Sequence, residues 1–336
     1  MHGPHTHTPA AEWTQHKERS QRPVVRFMVW LSLLCGRRAS RVLLRAIALY
    51  FLLFAPKARR ALQGYYQRLW QRRAGWGELY RHFFAFASVI HDRVFLLGGQ
   101  YGQFDIRLED ADRAALEQAL QHKQGVVILG AHFGSFEVLK SLGEQNGQTV
   151  YMLMYGDNAD KLNAILAAIN PQAPARVIAL NRLDSMLQAQ EKLAQGHWLG
   201  LLADRTFAEG DETATYEFLG GPAHFPTGPV RLAAMLGCPV VFLAGAYVRG
   251  NRYQVHARVL GHLGDCPRPA REQAMRQIQQ TFVQELEALC HRYPHNWFNF
   301  FDFWQTAANT QPTSGQQAAS KQPANGGQVA SGSSRF

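Results

Sequence analysis

The segment GVVILGAHFGSFEVLK, residues 125–140, decides the fold. Its apolar, β-branched start predicts a buried strand over 125–129, and the residues that follow predict a helix over 133–145. The strand delivers His132 at its carboxyl end, which is where open α/β sheets place their ligands. Gly134 allows a backbone or a substrate to approach closely. The segment therefore predicts both a sheet and a site at its edge.

Strands and helices alternate on both sides of this segment. A helix is predicted over 58–97, and another over 271–291 closes the ordered part of the chain. Further strands are predicted over 104–108, 149–154, 176–180, 198–202, 239–248 and 252–260, of which the last two form an antiparallel pair. This alternation predicts an α/β domain with a mixed, largely parallel sheet flanked by helices.

The composition excludes several classes of protein. A hydrophobic fraction of 46% and a charged fraction of 18% allow a sizeable core, and a mean hydropathy of -0.24 leaves no room for several membrane spans. The four cysteines include no CxxC pair, which argues against a disulfide scaffold or a cysteine zinc site. No HExxH motif occurs either, so we expect no metal and no cofactor.

The net charge of +10 is concentrated at the N-terminus. Residues 1–77 hold fourteen Lys and Arg against two acids, which gives that stretch +12. The apolar runs 24–34 and 42–55 are interleaved with these basic residues. Basic residues beside apolar ones fit the anionic face of a membrane better than nucleic acid. We therefore expect a membrane-surface partner and no nucleic acid.

Four regions are predicted along the chain. Residues 1–20 are polar and flexible, 21–57 are membrane-associated, 58–304 form the α/β domain, and 305–336 are a disordered tail rich in Gln, Ser, Gly and Ala. Two in-plane or re-entrant amphipathic helices are our first interpretation of 21–57. A single strained span and two ordinary core helices are the alternatives.

His132 and Glu137 form a candidate catalytic pair. If the helix begins near Phe133, Glu137 lies about one turn inside it and reaches back to the imidazole. A carboxylate on one ring nitrogen fixes the tautomer and leaves the other nitrogen as a general base. Ser135 stands nearby, but outside a GxSxG elbow. The alternative is a strand-end histidine that caps the next helix.

These residues carry a resemblance. HFGSFE, residues 132–137, resembles the HxxxxE form of the HxxxxD/E motif of glycerolipid acyltransferases. More closely, the chain resembles the bacterial lipid A biosynthesis lauroyl/myristoyl acyltransferase family. FLGGPA at 218–223 with PTGPVRLA at 226–233 resembles that family's second block, and PHNWF at 294–298 resembles its closing segment. ADR at 203–205 stands where the family has a short acidic motif.

The resemblance implies a reaction and a place in the cell. A fatty acyl chain would pass from an acyl carrier protein thioester to a hydroxyl or amine of a lipid acceptor, without an acyl-enzyme, at the cytoplasmic face of the inner membrane. His132 would deprotonate the acceptor, and Glu137 would hold the imidazole. Substrate-binding roles are implied for Gly134, Asp204, Arg205, Thr227, Gly228 and Arg231.

The acceptor stays open. Tyr155-Gly156 departs from the Tyr-Arg that the family often has there, and WTQHKERS at 13–20 resembles variants from gene clusters for aryl polyenes or other specialised lipids. A lipid A precursor, an aryl polyene lipid and other lipids are therefore all candidates. Two rival functions also remain: a thioesterase or lipid hydrolase that uses the same His–Glu pair on water, and a non-catalytic membrane scaffold that uses only the basic N-terminus.

Overall fold

The computed structural model describes residues 18–120, 125–145, 147–154, 176–180, 184–206, 211–264 and 266–304. Most of the predicted flexible N-terminus and all of the predicted tail over 305–336 lie outside the described residues.

Seven strands form one sheet in the order β1-β9-β8-β2-β5-β3-β4. Five adjacent strands, from β8 to β4, run parallel, while β9 is antiparallel to β8 and parallel to β1. The predicted mixed, largely parallel sheet is confirmed. The strands are β1 (Asp105–Leu108), β2 (Val127–Gly130), β3 (Val150–Met154), β4 (Val177–Ala179), β5 (Trp198–Leu202), β8 (Pro239–Arg249) and β9 (Arg252–His262).

Helices cover both faces of this sheet. On one face Leu129 and Leu201 share a core with Phe282, and on the other Ile128 and Trp198 pack with Val138. Because successive strand residues point to opposite faces, a central strand such as β2 is apolar throughout. The flanking helices are α4 (Asp110–Leu120), α5 (Phe136–Gln145), α6 (Ser185–Ala194), α7 (Gly228–Leu236) and α8 (Arg268–Arg292).

A separate hairpin joins β6 (Thr213–Glu217) to β7 (Pro222–Pro226) and was not predicted. Prolines at both ends of β7 hide the strand pattern, since proline is rare inside sheets. The connection contains Leu219 at a left-handed φ of 51° and Gly220 at 72°. The motif block FLGGPA therefore lies at the tip of this hairpin.

Three helices precede the sheet: α1 (Glu18–Phe54), α2 (Pro56–Trp70) and α3 (Trp76–Leu97). α1 is interrupted at Gly36, whose φ of 72° is non-helical. The single helix predicted over 58–97 is wrong. Gln71 adopts a left-handed conformation that ends α2, and the Glu78 side chain accepts a hydrogen bond from the Gly75 backbone at the start of α3.

The second half of α1 is anchored to the α/β domain by a buried ion pair. Arg37 Nε and Nη2 donate to the two carboxylate oxygens of Asp92 at 2.8 and 2.9 Å. Tyr253 also donates to Asp92, and Arg37 Nη2 donates to the Gly250 carbonyl. The opposite side of this half of α1 carries exposed apolar residues. One face of the helix therefore packs against the domain, and the other face remains exposed.

In the described part of the chain, no single helix is long and apolar enough to cross a membrane. The segments Gly36–Phe54 and Pro56–Trp70 meet at 89° and together pass the length and composition test of a broken or re-entrant span. Membrane association of 21–57 stays a prediction.

Candidate active site

The candidate site lies at the carboxyl ends of β2 and β5, which are neighbouring parallel strands. The Ala203 backbone N–H donates to the Gly130 carbonyl at 2.9 Å and extends the pairing past both strand ends. His132 follows β2 and Asp204 follows β5 within two residues. Parallel pairing therefore brings these two residues to the same point of the sheet edge.

His132 and Asp204 are in direct contact. His132 Nδ1 lies 2.8 Å from Asp204 Oδ1, and the His132 backbone N–H lies 3.1 Å from both carboxylate oxygens. An ionised carboxylate only accepts hydrogen bonds, so Nδ1 carries the proton and Nε2 carries the free lone pair. The His132 side chain is 31% exposed, whereas that of Asp204 is fully buried. This is the geometry of an oriented general base.

Asp204 is held in its ionised form despite its burial. Burial alone raises the pKa of this carboxyl, but the charges of His132 and Arg205 and the hydrogen bonds from His132 and Trp297 outweigh it and bring the pKa to about 2. Trp297 Nε1 donates to Asp204 Oδ2 at 3.1 Å. The carboxylate is thus charged at any physiological pH.

Glu137 does not touch the imidazole, so the expected His132–Glu137 contact is wrong. Glu137 Oε1 pairs with Arg93 Nε at 2.5 Å, and its Oε2 accepts from Ser135 Oγ at 3.3 Å. The physical reason is the start of α5, which begins at Phe136 rather than near Phe133. Glu137 therefore lies at the very beginning of the helix and does not reach back to the ring.

Gly134 shapes the turn between His132 and α5. It has a left-handed φ of 58°, and a Cβ there would lie 1.9 Å from the Gly245 carbonyl oxygen. Only glycine fits both constraints. Its N–H donates to the Asn296 carbonyl at 2.9 Å, and the Phe298 N–H donates to the His132 carbonyl at 2.8 Å. The segment after α8 therefore hydrogen bonds with the backbone of both His132 and Gly134.

A comparison with known protein families finds a match for this chain. A family model described as bacterial lipid A biosynthesis acyltransferase matches residues 100–306, which span β1, both sheet faces and the segment after α8. The chain belongs to this family. No curated protein sequence matches it significantly. Family membership makes the protein an acyltransferase with an acyl donor and a lipid acceptor, and members are typically associated with membranes.

The other site residues expected for this acyltransferase fall into two places. Gly134 and Arg205 lie beside the histidine; Arg205 donates to the Phe298 carbonyl, and burial lowers its pKa while Asp204 opposes that shift. Thr227 and Arg231 belong to the start of α7 and contact Glu212 instead.

Gly228 is the first residue of α7, and a Cβ there would meet no atom within 4 Å. Among the described residues, the hydrogen bonds and ion pairs of Thr227, Gly228 and Arg231 do not involve His132 or Asp204. Their substrate-binding roles therefore stay predictions.

Two contributors to the site were not predicted from the acyltransferase sequence. Trp297 stands in the closing motif, but nothing in its local pattern indicates a hydrogen bond to a carboxylate 93 residues earlier. Arg93 lies near the C-terminal end of α3, directly before the apolar residues 94–97. A search for cations able to neutralise the motif glutamate would have pointed to Arg93.

Proposed function

We propose that this acyltransferase moves a fatty acyl chain from an acyl carrier protein thioester to a hydroxyl or amine of a lipid or glycolipid acceptor, with His132 as the general base and Asp204 as its orienting carboxylate. The contact of 2.8 Å between His132 Nδ1 and Asp204 Oδ1 carries this proposal. It fixes one ring nitrogen, and the partial exposure of the side chain lets a substrate reach the ring.

The chemistry needs one proton carrier. His132 Nε2 takes the proton from the acceptor O–H or N–H as the oxygen or nitrogen attacks the thioester carbonyl. The C–S bond then breaks, and the imidazolium returns the proton to the carrier thiolate. Asp204 stabilises the imidazolium between these steps, because the charge that forms on the ring lies next to a buried carboxylate.

Direct transfer is favoured because, among the residues that the structure describes, no activated nucleophile contacts His132. Ser135 is fully buried, and its Oγ hydrogen bonds with Glu137 and the Val138 N–H. Cys290 is buried, and burial raises the pKa of its thiol. Within the described parts of the chain, the one side-chain partner of the His132 ring is Asp204. An acyl-enzyme through Ser135 or Cys290 is therefore disfavoured.

We propose further that the protein works at the cytoplasmic face of the inner membrane and that α1 provides the contact. An uncovered apolar row beside exposed arginines suits an anionic bilayer surface. The buried Arg37–Asp92 pair fixes this row to the catalytic domain. The exposed apolar residues of α1 include Leu34, Val42, Leu49, Tyr50, Leu53 and Phe54.

The acyl carrier protein donor is acidic, so its docking surface should be basic. Of the basic residues near α2 and the β8–β9 hairpin, Arg72 pairs with Glu78, while Arg252 pairs with Asp105. Arg73 and Arg249 are exposed, and neither forms an ion pair with another residue in the described part of the chain. They are our candidates for the carrier-protein contact.

One assay separates the three functions. Purified enzyme is supplied with acyl carrier protein thioester, with and without a lipid acceptor, and both acylated lipid and free fatty acid are quantified. A transferase gives acylated lipid and little free acid, and His132→Ala abolishes the product. Abundant free acid without acceptor would indicate a hydrolase. Full lipid-binding function in His132→Ala with no turnover in the wild type would indicate a scaffold.

A further inference from the structure

A small cleft opens on the face of the sheet against which α5 packs. It lies between α3, α5, β3 and β4, and three of its lining residues are polar. Its volume is about 10 Å³, the space of roughly one water molecule. Such a cleft has no room for an acyl chain, and what it offers a ligand is its charged rim. The lining residues are Leu97, Phe136, Glu137, Lys140, Met152, Arg176 and Val177.

Cations outnumber carboxylates around this cleft. Arg93 pairs with Glu137, while Arg176 and Lys140 share Glu144. The Tyr101 hydroxyl also donates to Glu144, so this carboxylate already has two partners, Tyr101 and Arg176, that lie closer to it than Lys140 does. Among the described residues, three positive groups therefore face two negative ones, a net charge of +1 for these five side chains.

Lys140 is the least compensated member of this cluster. Its Nζ lies 3.9 Å from Glu144 Oε1, the outer limit of an ion pair, and no hydrogen bond to another described residue is present. The Lys140 side chain is 17% exposed. Burial lowers the pKa of its amine, Glu144 opposes that shift, and Arg176 adds to it. An amine in this position gains from a second anion that reaches the cleft mouth.

We infer that Lys140 and Arg176 bind a phosphate group of a substrate at the mouth of this cleft. A phosphate supplies several acceptor oxygens, which suits a lysine and an arginine that approach from different elements. The Arg93–Glu137 pair bounds the site on the side of the HFGSFE motif. The motif glutamate thus belongs to this subsite rather than to the histidine.

The spacing favours the donor as the source of the phosphate. Lys140 lies four residues, about 6 Å, along α5 from Phe136. A phosphate bound there lies about one helical turn beyond the residue at which α5 begins. Such a separation from the histidine suits a phosphopantetheine thioester, whose phosphate and sulfur are at opposite ends of the arm. This assignment rests on the proposed function. A phosphorylated acceptor with its phosphate close to the reacting hydroxyl fits the spacing less well.

Calorimetric titration of the full-length protein tests the site. The probes are 4′-phosphopantetheine against pantetheine, and sn-glycerol 3-phosphate against glycerol. We expect 4′-phosphopantetheine to bind about tenfold more tightly than pantetheine, the size of a charge-assisted contact. That preference should fall below about threefold in Lys140→Gln and in Arg176→Gln. Lys192→Gln, a lysine of α6 that pairs with Glu191, is the control and should keep it.

The outcomes separate the source of the phosphate from the existence of the site. A Lys140-dependent preference for glycerol 3-phosphate alone would support the site and assign the phosphate to the acceptor. The inference would be overturned if both members of each probe pair bound equally well, or if Lys140→Gln kept the full preference for the phosphorylated probe. Circular dichroism checks that each variant is folded.

The titrations measure binding and need no turnover, so a failure of the phosphate subsite can be told apart from a failure of the proposed acyl transfer. Acyl transfer with a normal phosphate preference in Lys140→Gln would overturn the subsite alone. Lys140-dependent binding by a protein that transfers no acyl group would overturn the proposed function alone.

Discussion

His132 Nδ1 lies 2.8 Å from Asp204 Oδ1, although 72 residues separate the two along the chain. The pairing of β2 with β5 brings them together, and the same carboxylate also receives the His132 backbone N–H and the Trp297 indole. A buried carboxylate with this many donors is a rigid acceptor. The proposed base is therefore oriented by the sheet itself and not by the helix that follows it.

Trp297→Phe should slow acyl transfer by about tenfold. The variant removes the indole donor to Asp204, and hydrogen bonds to charged groups contribute about 1.5–3 kcal/mol. Trp304→Phe is the matched control, because the Trp304 Nε1 is buried and has no hydrogen-bond partner among the described residues. The measurement is kcat for each variant. Equal losses in both would mean that the Trp297 hydrogen bond has no role in catalysis.

Asp92→Asn should destabilise the fold by about 3–5 kcal/mol, since removal of one partner leaves a buried, unpaired arginine. Glu272→Gln breaks an exposed pair with Arg276 on α8 and should cost less than about 1 kcal/mol. Urea denaturation monitored by circular dichroism gives both values. A small effect of Asp92→Asn would contradict the anchoring of α1 through Arg37.

Acid should destabilise the protein well before Asp204 is protonated. Burial and the charge of His295 lower the pKa of His82 to about 3, while an unfolded histidine has a pKa near 6.5. Between these values the unfolded chain binds one proton more at this site, so stability falls as the pH falls from about 6.5 to 3. The contribution of His82 is up to about 1.4 kcal/mol per pH unit in that window.

His82→Gln should therefore flatten the pH dependence of stability between pH 6 and 4, even if it lowers stability at pH 7. The glutamine keeps a partner for the Tyr66 hydroxyl, which lies 2.9 Å from His82 Nδ1. Urea midpoints at several pH values give the slope. An unchanged slope would show that His82 is protonated in the folded protein at these pH values.

The apolar row on α1 should account for membrane binding. Replacing Tyr50, Leu53 and Phe54 by Ser removes three exposed apolar side chains, each able to contribute about 1.5–3 kcal/mol when buried in lipid. Sedimentation with anionic vesicles should then show at least tenfold weaker binding. The control replaces Leu187 and Met235, which are also exposed, and should bind normally. Release of the wild type by 1 M salt alone would contradict insertion of these side chains.

Much of the fold follows from local pattern. Short apolar runs between turn residues predicted all seven strands of the main sheet. A strand that is buried on both faces consists almost entirely of apolar residues, so it can be recognised in the sequence. That His132 and Asp204 lie at the same edge of the sheet was also predictable, since both follow strands whose carboxyl ends point the same way. The hairpin of β6 and β7 was missed because prolines and alternating exposed residues hide it.

The partner of the histidine was less predictable. The five-residue spacing to Glu137 indicates a contact only if α5 starts at once, but Gly134 turns the chain through a left-handed conformation and delays the helix. The contributions of Trp297 and Arg93 depend on the packing of α3 and of the segment after α8 against the sheet edge. Contacts between residues so far apart in the chain produce no periodic pattern in the sequence.

Asp204, and not Glu137, is the carboxylate that we propose orients His132. Nuclear magnetic resonance of ¹⁵N-histidine-labelled protein reads this directly through the hydrogen-bonded Nδ1–H signal of His132. We expect Asp204→Asn to remove this downfield signal and to lower kcat by about 10²–10⁴-fold, and Glu137→Gln to keep the signal. Loss of the signal in Glu137→Gln, with its retention in Asp204→Asn, would contradict this assignment.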